Sequence, residues 1–176
     1  MSTFAQAAAE QAAVEQKQYL TFMLGGEMFA IGILHIKEII QYAGLTEVPM
    51  MPSCIRGVIN LRGAVVPVMD LSARFGKKTT EVTRRTCIVI VEVENEDGRQ
   101  DMGVVVDAVN AVLEIPSSEI EPAPAFGARI RTDFIEGMGK VNNRFVILLD
   151  VGRVLSAGEL GALVQVGESA QQLLSA

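Results

Sequence analysis

Short runs of β-branched and other apolar residues, separated by turns rich in glycine and asparagine, dominate the chain from Lys17 onward. This pattern is typical of antiparallel strands joined in hairpins. It predicts four strand pairs, of which the third encloses the acidic turn Asn95-Glu96-Asp97-Gly98. The predicted pairs are 18–24 with 28–33, 55–61 with 64–71, 86–94 with 101–110, and 134–141 with 144–150.

One segment departs from the strand pattern. Between Leu34 and Ile40, the spacing of Ile36, Ile39 and Ile40 fits one face of a helix, with charged residues outside it. The sequence therefore predicts a short helix here. Residues 73–85 are polar and basic, which is typical of a connector between two halves.

The remaining segments lie toward the two ends of the chain. Residues 1–16 are rich in Ala, Gln and Glu, and they predict a flexible N-terminal tail. Residues 116–131 contain three prolines and no clear period, which predicts a long loop. Apolar residues at helical spacing in 158–174 predict a closing helix, so the globular domain is expected to span 17–157, with residues 158–176 forming the C-terminal helix.

The two halves of the chain resemble each other. At an offset of 80 residues, Gly57 coincides with Gly137 and Asp70 with Asp150; at an offset of 73, Ile36 coincides with Val109 and Ile39 with Val112. Each half is too small to be comfortably stable alone. We therefore expect a mainly β fold of two small antiparallel barrels that share a hydrophobic core, the first at about 18–85 and the second at about 86–157.

Composition narrows the class of protein. Apolar residues make up 49% of the chain, which is enough for a core, but no apolar run approaches the ~18 residues of a transmembrane helix. The net charge of −6 and an aromatic content of 5% argue against nucleic-acid binding. Residues 1–88 hold nine Lys and Arg against seven Asp and Glu, whereas 89–176 hold six against fourteen. The two halves are thus expected to present different faces to partners.

No catalytic or metal-binding set emerges from the residues. Cys54 and Cys87 are far apart and His35 is the single histidine, so zinc sites and Cys/His nucleophile pairs are excluded, and a reduced, cytoplasmic protein is expected. No glycine motif for phosphate is present, and no cofactor is predicted. Asp70 and Asp150 each follow an apolar strand, where the repeat favours helix N-caps over paired catalytic carboxylates.

Arg62 is the polar residue that this pattern singles out. It precedes Gly63 at the predicted tip of a hairpin between two apolar strands. Two interpretations remain open from spacing alone. The guanidinium is either an ordinary solvated group or a rigidly held group aimed at a partner's carboxylate or carbonyls.

Several segments together resemble one family. Residues 55–71 carry the most specific part, Gly57-Val58-Ile59-Asn60-Leu61-Arg62-Gly63 followed by the run to Asp70. Supporting segments are 36–39 in the first half and 103–107, 122–124 and 145–150 in the second. Over residues 17–157 the chain resembles the CheW-like domain family of bacterial chemotaxis coupling proteins.

This resemblance implies a fold and a function. The fold would be two five-stranded SH3-like barrels around a shared core, with short helices. The function would be that of a non-catalytic adaptor that links the cytoplasmic tips of chemoreceptors to the regulatory domain of the histidine kinase CheA. Such a protein would be cytoplasmic and associated with receptor arrays, without direct insertion into the membrane.

The resemblance also implies where the receptor tip, a helical hairpin, would dock: in the groove between the barrels. Aliphatic residues would line the groove and charged residues its rim. The predicted receptor-binding residues are Ile36, Glu38, Ile39, Gly57, Arg62, Val65 and Val106. The kinase domain would pack against the ends of the barrels.

Two alternatives remain at this stage. A CheW-like paralogue in another chemosensory pathway, such as twitching motility, would differ only in the identity of its partners. A small enzyme or ligand-binding barrel would need convergent nucleophile, base or metal groups, and the residue inventory argues against it.

Overall fold

The strand pattern of the sequence is realised as eleven strands in the part of the chain that the computed structural model describes, residues 16–51, 54–75, 78–95, 98–122 and 134–155. The strands are β1 (Gln16–Leu24), β2 (Glu27–Gly32), β3 (Ile36–Gln41), β4 (Ile55–Leu61), β5 (Ala64–Asp70), β6 (Cys87–Asn95), β7 (Gly98–Val106), β8 (Ala108–Pro116), β9 (Ile120–Glu121), β10 (Ile135–Val141) and β11 (Arg144–Leu149). Two short helices, α1 (Leu71–Arg74) and α2 (Val151–Val154), follow β5 and β11. The first, second and fourth predicted strand pairs are confirmed.

The strands form two sheets, and each sheet takes strands from both halves of the chain. One has six strands in the order β8-β1-β2-β11-β10-β9, and the other has five in the order β3-β6-β7-β5-β4. We call them the six-stranded and the five-stranded barrel. The mainly β prediction is confirmed, with three corrections: one barrel has a sixth, two-residue strand; β5/β7 and β2/β11 pair in parallel; and the barrels do not divide at 85/86.

The strand pairings confirm the internal duplication. Val68 pairs with Gly103 in one barrel and Leu148 pairs with Ala30 in the other, which matches the offsets of 80 and 73. The two halves have exchanged their first hairpins, since β1–β2 completes the six-stranded barrel and β6–β7 completes the five-stranded one. The sequence could not reveal this exchange because it is set by pairing between distant strands.

The helix predicted for 34–40 is wrong. A 3-10 turn at Ile33–His35 leads into β3, which pairs with β6 through a register shift between Ile36 and Glu38. In this short segment the isoleucine spacing fits a helix face and a bulged strand equally well. β-Branched isoleucines favour the strand, and the neighbouring sheet edge supplies the hydrogen bonds.

The third predicted pair is correct only in part. β6 and β7 do form a hairpin, but β7 ends at Val106 and the chain bends at Asp107. The Asp107 backbone N–H donates to the Met23 carbonyl at 3.0 Å, and its carboxylate accepts from the Gly25 N–H at 2.8 Å. Residues from Ala108 onward therefore belong to β8, which pairs with β1.

Three main clusters of buried side chains form the core. The largest lies between the two sheets and takes residues from both, including Phe22, Phe29, Met69 and Val104. Each barrel also has its own interior cluster, around Val68 and Ile90 in one and around Leu148 and Ile115 in the other. The prediction of two barrels with a shared core is thus confirmed.

Both predicted N-caps are present. The Asp70 carboxylate accepts from the backbone N–H groups of Ser72 and Ala73 at the start of α1, and the Asp150 carboxylate accepts from the Arg153 N–H at the start of α2. Asp70 also accepts from the Thr80 N–H and hydroxyl, and its Oδ2 lies 3.2 Å from Arg56 Nε. Asp70 thereby ties the connector after α1 to β4.

Three predictions fall wholly or largely outside the described residues: the tail at 1–16, apart from Gln16 at the start of β1; residues 123–131 of the loop; and the closing helix at 158–174. Across the described residues, none of the helices has the length and apolar character needed to cross a membrane.

Candidate protein-interaction surface

The bulge in β3 distributes its side chains over two faces. Ile36 and Ile39 lie opposite Val91 and Val89, whose side chains belong to the core between the barrels. Glu38 lies opposite Ile90, which belongs to the interior of the five-stranded barrel. Directly paired residues of antiparallel strands share a face. Ile36 and Ile39 therefore lie on the face of β3 toward the core between the barrels, and Glu38 lies on the face toward the interior of the five-stranded barrel.

Glu38 and Arg62 are brought together by the closure of the five-stranded barrel. Arg62 occupies the β4–β5 turn with φ 54°, and its guanidinium donates to Glu38 Oε2 at 2.8 Å. β3 and β4 are the two edges of this sheet, so the pair bridges them. The Arg62 side chain remains 81% exposed, whereas the Glu38 side chain is 24% exposed and its second oxygen, Oε1, is buried without a hydrogen-bond partner.

The structure adds a partner within the chain to the two interpretations of Arg62. The guanidinium is bound to the carboxylate of Glu38, so it is not an ordinary solvated group. Its large exposed fraction leaves donors available on the outer side.

A charge network lies beside this pair on the outer surface. Lys37 Nζ is 3.0 Å from Asp101 Oδ1 and 3.2 Å from Glu92 Oε2. Hydrogen bonds to Asp101 and then Glu92 raise the pKa of Lys37 above its ordinary value. Arg99 contacts both Glu92 and Glu94, so the charges of β3, β6 and β7 are interlinked next to the candidate groove.

Gly57 has a structural reason to be glycine. It has φ 151°, and a Cβ built on it would lie 2.4 Å from the carbonyl oxygen of Thr46. The Thr46 segment crosses β4 there and pairs with Val58. Gly57 is buried, so it cannot contact a docked partner directly. It would influence a docking surface only by setting the course of the β4 backbone.

The last two predicted residues differ in accessibility. Val65 is half-buried and packs against buried Val58, as Val48 and Met51 also do. Val106 is fully buried in the core between the barrels. Of the predicted groove-lining residues, Val106 therefore cannot touch a docked partner while the fold is intact.

Val112, which the prediction of the site missed, is 45% exposed, close to the 42% of Ile39. The two are repeat equivalents, and they occupy the outer strand of each barrel, β8 and β3. Val109 and Ile36, three residues earlier, both pack against the shared core. The 73-residue offset already paired Val112 with Ile39, so the repeat was the signal that could have found it.

A second exposed surface lies at the turn between β2 and β3. Leu34 is 96% exposed, and hollows of about 410 and 480 Å3 lie on its two sides. His35 lines both hollows and is itself exposed. Acidic residues dominate the charged lining: Glu114, Glu136, Glu92, Glu94 and Asp150 against Lys17 and Arg99.

The interior of the molecule is filled. Side chains occupy the inside of both barrels, and a small apolar pocket against the core between them measures about 10 Å3, roughly the space of one water. Among the described residues no cluster of three or more His, Cys, Asp or Glu is placed to hold a metal ion. Each filled barrel leaves one large apolar side chain exposed on its outer strand, Ile39 on β3 and Val112 on β8, and this arrangement favours a protein-interaction module.

The comparisons with known proteins agree with this architecture. Residues 18–159 match the CheW-like domain. The chain is 33% identical to Chemotaxis protein CheW of Klebsiella aerogenes, with 87% of this chain and 90% of the relative covered. It is 36% identical to Chemotaxis protein CheW of Bacillus subtilis, over 79% of this chain and 86% of the relative. Protein FrzA of Myxococcus xanthus is 28% identical over 90% of this chain and 97% of its own length.

A solved structure confirms the fold. The crystal structure of scaffolding protein TtCheW from Thermoanaerobacter tengcongensis superposes with a TM-score of 0.73 and 32% identity, covering 82% of this chain and 91% of that one. This chain belongs to the CheW-like family.

Proposed function

We propose that this protein is a non-catalytic chemotaxis adaptor that couples the cytoplasmic tips of chemoreceptors to the histidine kinase CheA. The observation that carries the proposal is the exposed apolar pair Ile39 and Val112 on equivalent outer strands of two fused barrels. The family membership of this chain supports the same conclusion, since two of the relatives named above are chemotaxis proteins and the solved structure is that of a scaffolding protein.

The receptor would dock across the seam. An amphipathic helix needs aliphatic contacts on both walls of a groove and a few fixed polar groups at its rim. Ile39 supplies one wall and Val112 the other, each beside a residue, Ile36 or Val109, that packs on the shared core. The Glu38–Arg62 pair would form the polar rim next to Ile39, and the exposed N–H groups of the guanidinium would donate to a receptor carboxylate.

The kinase would use a different surface. Leu34 is a ridge between two hollows at the turn where the chain passes from one barrel to the other. A similar barrel domain presenting a matching ridge and hollow could interlock there. This position is compatible with the end-to-end packing that the family resemblance implies.

Separate variants test the two surfaces. Because Ile39 and Val112 are exposed, Ile39→Glu and Val112→Glu should leave the fold intact, and each should weaken binding to a purified receptor cytoplasmic fragment by about 2 kcal/mol, roughly 30-fold. Leu34→Glu should weaken binding to the CheA regulatory domain and spare receptor binding. Both affinities are measured by titration calorimetry, and coupling by receptor-controlled kinase activity in co-sedimented complexes.

Val82→Glu is the matched control. Val82 is 48% exposed, similar to Val112, but it lies on the connector after α1. It should alter neither affinity. Unchanged receptor binding in both Ile39→Glu and Val112→Glu would refute the groove, and loss of both partners in every variant would indicate a damaged fold.

A second candidate is the same adaptor in another chemosensory pathway. Protein FrzA, which matches over nearly all of both chains, is not named as a chemotaxis protein, and this keeps the alternative open. The chemotaxis adaptor and the adaptor of another pathway would differ only in their partners. Binding titrations against the receptor and kinase fragments of each pathway in the host distinguish the two candidates.

A further inference from the structure

The β4–β5 turn holds a long side chain in a backbone conformation that side chains disfavour. Arg62 has φ 54° and Gly63 has φ 86°, so both central residues of the turn lie in the left-handed region. Glycine and asparagine tolerate this region, whereas a longer L side chain crowds the backbone there. The intrinsic preference of Arg62 therefore does not specify this conformation, and we expect another group to stabilise the turn.

The equivalent turn of the six-stranded barrel does not contain this conflict. Asn142 and Asn143, at the repeat positions of Arg62 and Gly63, have φ 50° and 64°. Asparagine adopts such values more readily than most residues with a side chain. The two turns thus share their backbone geometry, but the β4–β5 turn imposes it on a long cationic residue.

Asn60 supplies a stabilising contact for the β4–β5 turn. Its side-chain oxygen, Oδ1, accepts a hydrogen bond of 2.9 Å from the Gly63 backbone N–H. Asn60 itself is exposed at the end of β4, so its side chain has no part in the core. The repeat places Lys140 at this position, and an ammonium group cannot accept a hydrogen bond. The acceptor therefore accompanies the turn that carries Arg62 and is replaced in the equivalent turn.

The direction of the Arg62 side chain depends on this turn. Its guanidinium contacts Glu38 through one pair of atoms, Nη2 and Oε2, and not through the two parallel hydrogen bonds of a bidentate pair. The Arg62 side chain is also largely exposed, so packing does little to orient it. The backbone at one end and a single contact at the other therefore determine its path.

We propose that Asn60 is a positioning residue of the candidate receptor site. By accepting from Gly63, it holds the turn in the conformation from which Arg62 reaches Glu38 and keeps its remaining N–H groups exposed. Without this acceptor the turn relaxes toward conformations with negative φ at Arg62, and the guanidinium changes direction. The inference rests on the proposed function, in which Arg62 binds the receptor, and it adds a residue that acts without touching the receptor.

The first measurement is made by NMR on the full chain without receptor. Asn60→Ala should raise the solvent-exchange rate of the Gly63 amide by about 2–10-fold, as expected for the loss of one hydrogen bond. It should also shift the Arg62 Nε–H signal toward its position in Glu38→Ala protein, because the contact with Glu38 becomes less populated. Asn60→Asp retains an acceptor oxygen at the same place and should keep both signals close to those of the wild type.

The second measurement is a double-mutant cycle of binding to the purified receptor cytoplasmic fragment. Asn60→Ala should weaken binding by about 2–10-fold when Arg62 is present, again the effect of one hydrogen bond. It should have no further effect in Arg62→Ala protein, because Asn60 acts through Arg62. Lys140→Ala, at the equivalent position of the other barrel, is the matched control and should change neither receptor binding nor the two NMR signals.

Three outcomes would overturn the proposal, and they differ from one another. Unchanged Gly63 exchange and an unchanged Arg62 signal in Asn60→Ala would remove the positioning role. Additive losses of affinity in the cycle would place Asn60 in direct contact with the receptor. Normal receptor affinity in Arg62→Ala would also refute the receptor contact of the proposed function, and in that case Asn60→Ala would change the NMR signals without changing the affinity.

Discussion

The five-stranded and the six-stranded barrel share their strand pairing but differ in their polar groups. Equivalent bulges occur in β3 and in the β1–β8 pair, and again at Gly57 and Gly137. Yet where the five-stranded barrel has Glu38 and Arg62, the repeat places Ala111 and Asn142. The backbone of Ala111 is instead bound by the Thr21 hydroxyl, which donates to its carbonyl at 2.8 Å.

The comparison of the two barrels separates the features that both share from those that only one barrel has. Pairing, bulges, N-caps and apolar interior recur in both copies, so they are what two exchanged hairpins require to close a barrel. Among the described residues, the ion pair at the edge and the buried Asp70–Arg56 contact occur in one copy only. The candidate receptor rim is therefore an addition to one barrel of a symmetric scaffold.

The largest expected effect tests the symmetry of the core. Val68 and Leu148 are equivalent and fully buried, in the interiors of the two barrels. Val68→Asp and Leu148→Asp should each bury an unpaired carboxylate, cost at least about 4 kcal/mol, and prevent soluble expression. Expression yield and thermal melting are the measurements, with exposed Val82→Asp as control; wild-type melting in only one variant would break the equivalence of the barrels.

The two capping aspartates should differ. Asp70 is fully buried and also holds Arg56 and Thr80, so Asp70→Ala should lower the free energy of unfolding by about 3–5 kcal/mol. Asp150 is only half-buried, and Asp150→Ala should cost about 1 kcal/mol, as for an ordinary N-cap. Urea denaturation measures both. Equal losses would contradict the specialisation of the five-stranded barrel.

The bulge glycines give a smaller contrast. A Cβ at Gly57 would meet a backbone carbonyl at 2.4 Å, whereas at Gly137 it would meet Ile120 Cγ2 at 2.7 Å and a backbone carbonyl, that of Glu121, only at 3.1 Å. Gly57 alone of the two has a φ in the range that disfavours side chains. Gly57→Ala should therefore cost about 2–4 kcal/mol and Gly137→Ala about 1–2 kcal/mol in urea unfolding. A larger loss of unfolding free energy for Gly137→Ala than for Gly57→Ala would contradict this prediction.

The local hairpins of this architecture could be predicted from the sequence, because their specifying residues are neighbours along the chain. Hairpins such as β4–β5 and β10–β11 are local, and their turn residues and β-branched runs specify them. The exchange of hairpins was not readable, because β2 reaches β11 across more than half of the chain. In the site, the partnership of Glu38 with Arg62 depends on closure of the barrel, and the burial of Val106 depends on packing between the barrels. Neither leaves a local pattern.

The smallest expected effect on stability falls on the specialised pair itself. Arg62 is largely exposed, so Arg62→Ala should change the free energy of unfolding by less than about 1 kcal/mol, as for other surface ion pairs. If its outer donors hold a receptor carboxylate, receptor affinity should nevertheless fall by about 2–5 kcal/mol, with unchanged affinity for the kinase. Arg62→Lys should restore only part of it, since an ammonium lacks the planar fork of donors.

The repeat provides a matched control for Arg62. Asn142 occupies the equivalent turn with φ 50°, close to the 54° of Arg62. The repeat position that corresponds to Glu38, the partner of Arg62, is Ala111, which has no carboxylate. Asn142→Ala should cost a similarly small free energy of unfolding and leave receptor affinity untouched. Glu38→Gln separates the remaining possibilities: it should weaken receptor binding less than Arg62→Ala when the guanidinium touches the receptor directly. Equal losses from both changes would mean that Arg62 acts only by holding Glu38 and β3 in place, and normal receptor affinity in Arg62→Ala would remove it from the site.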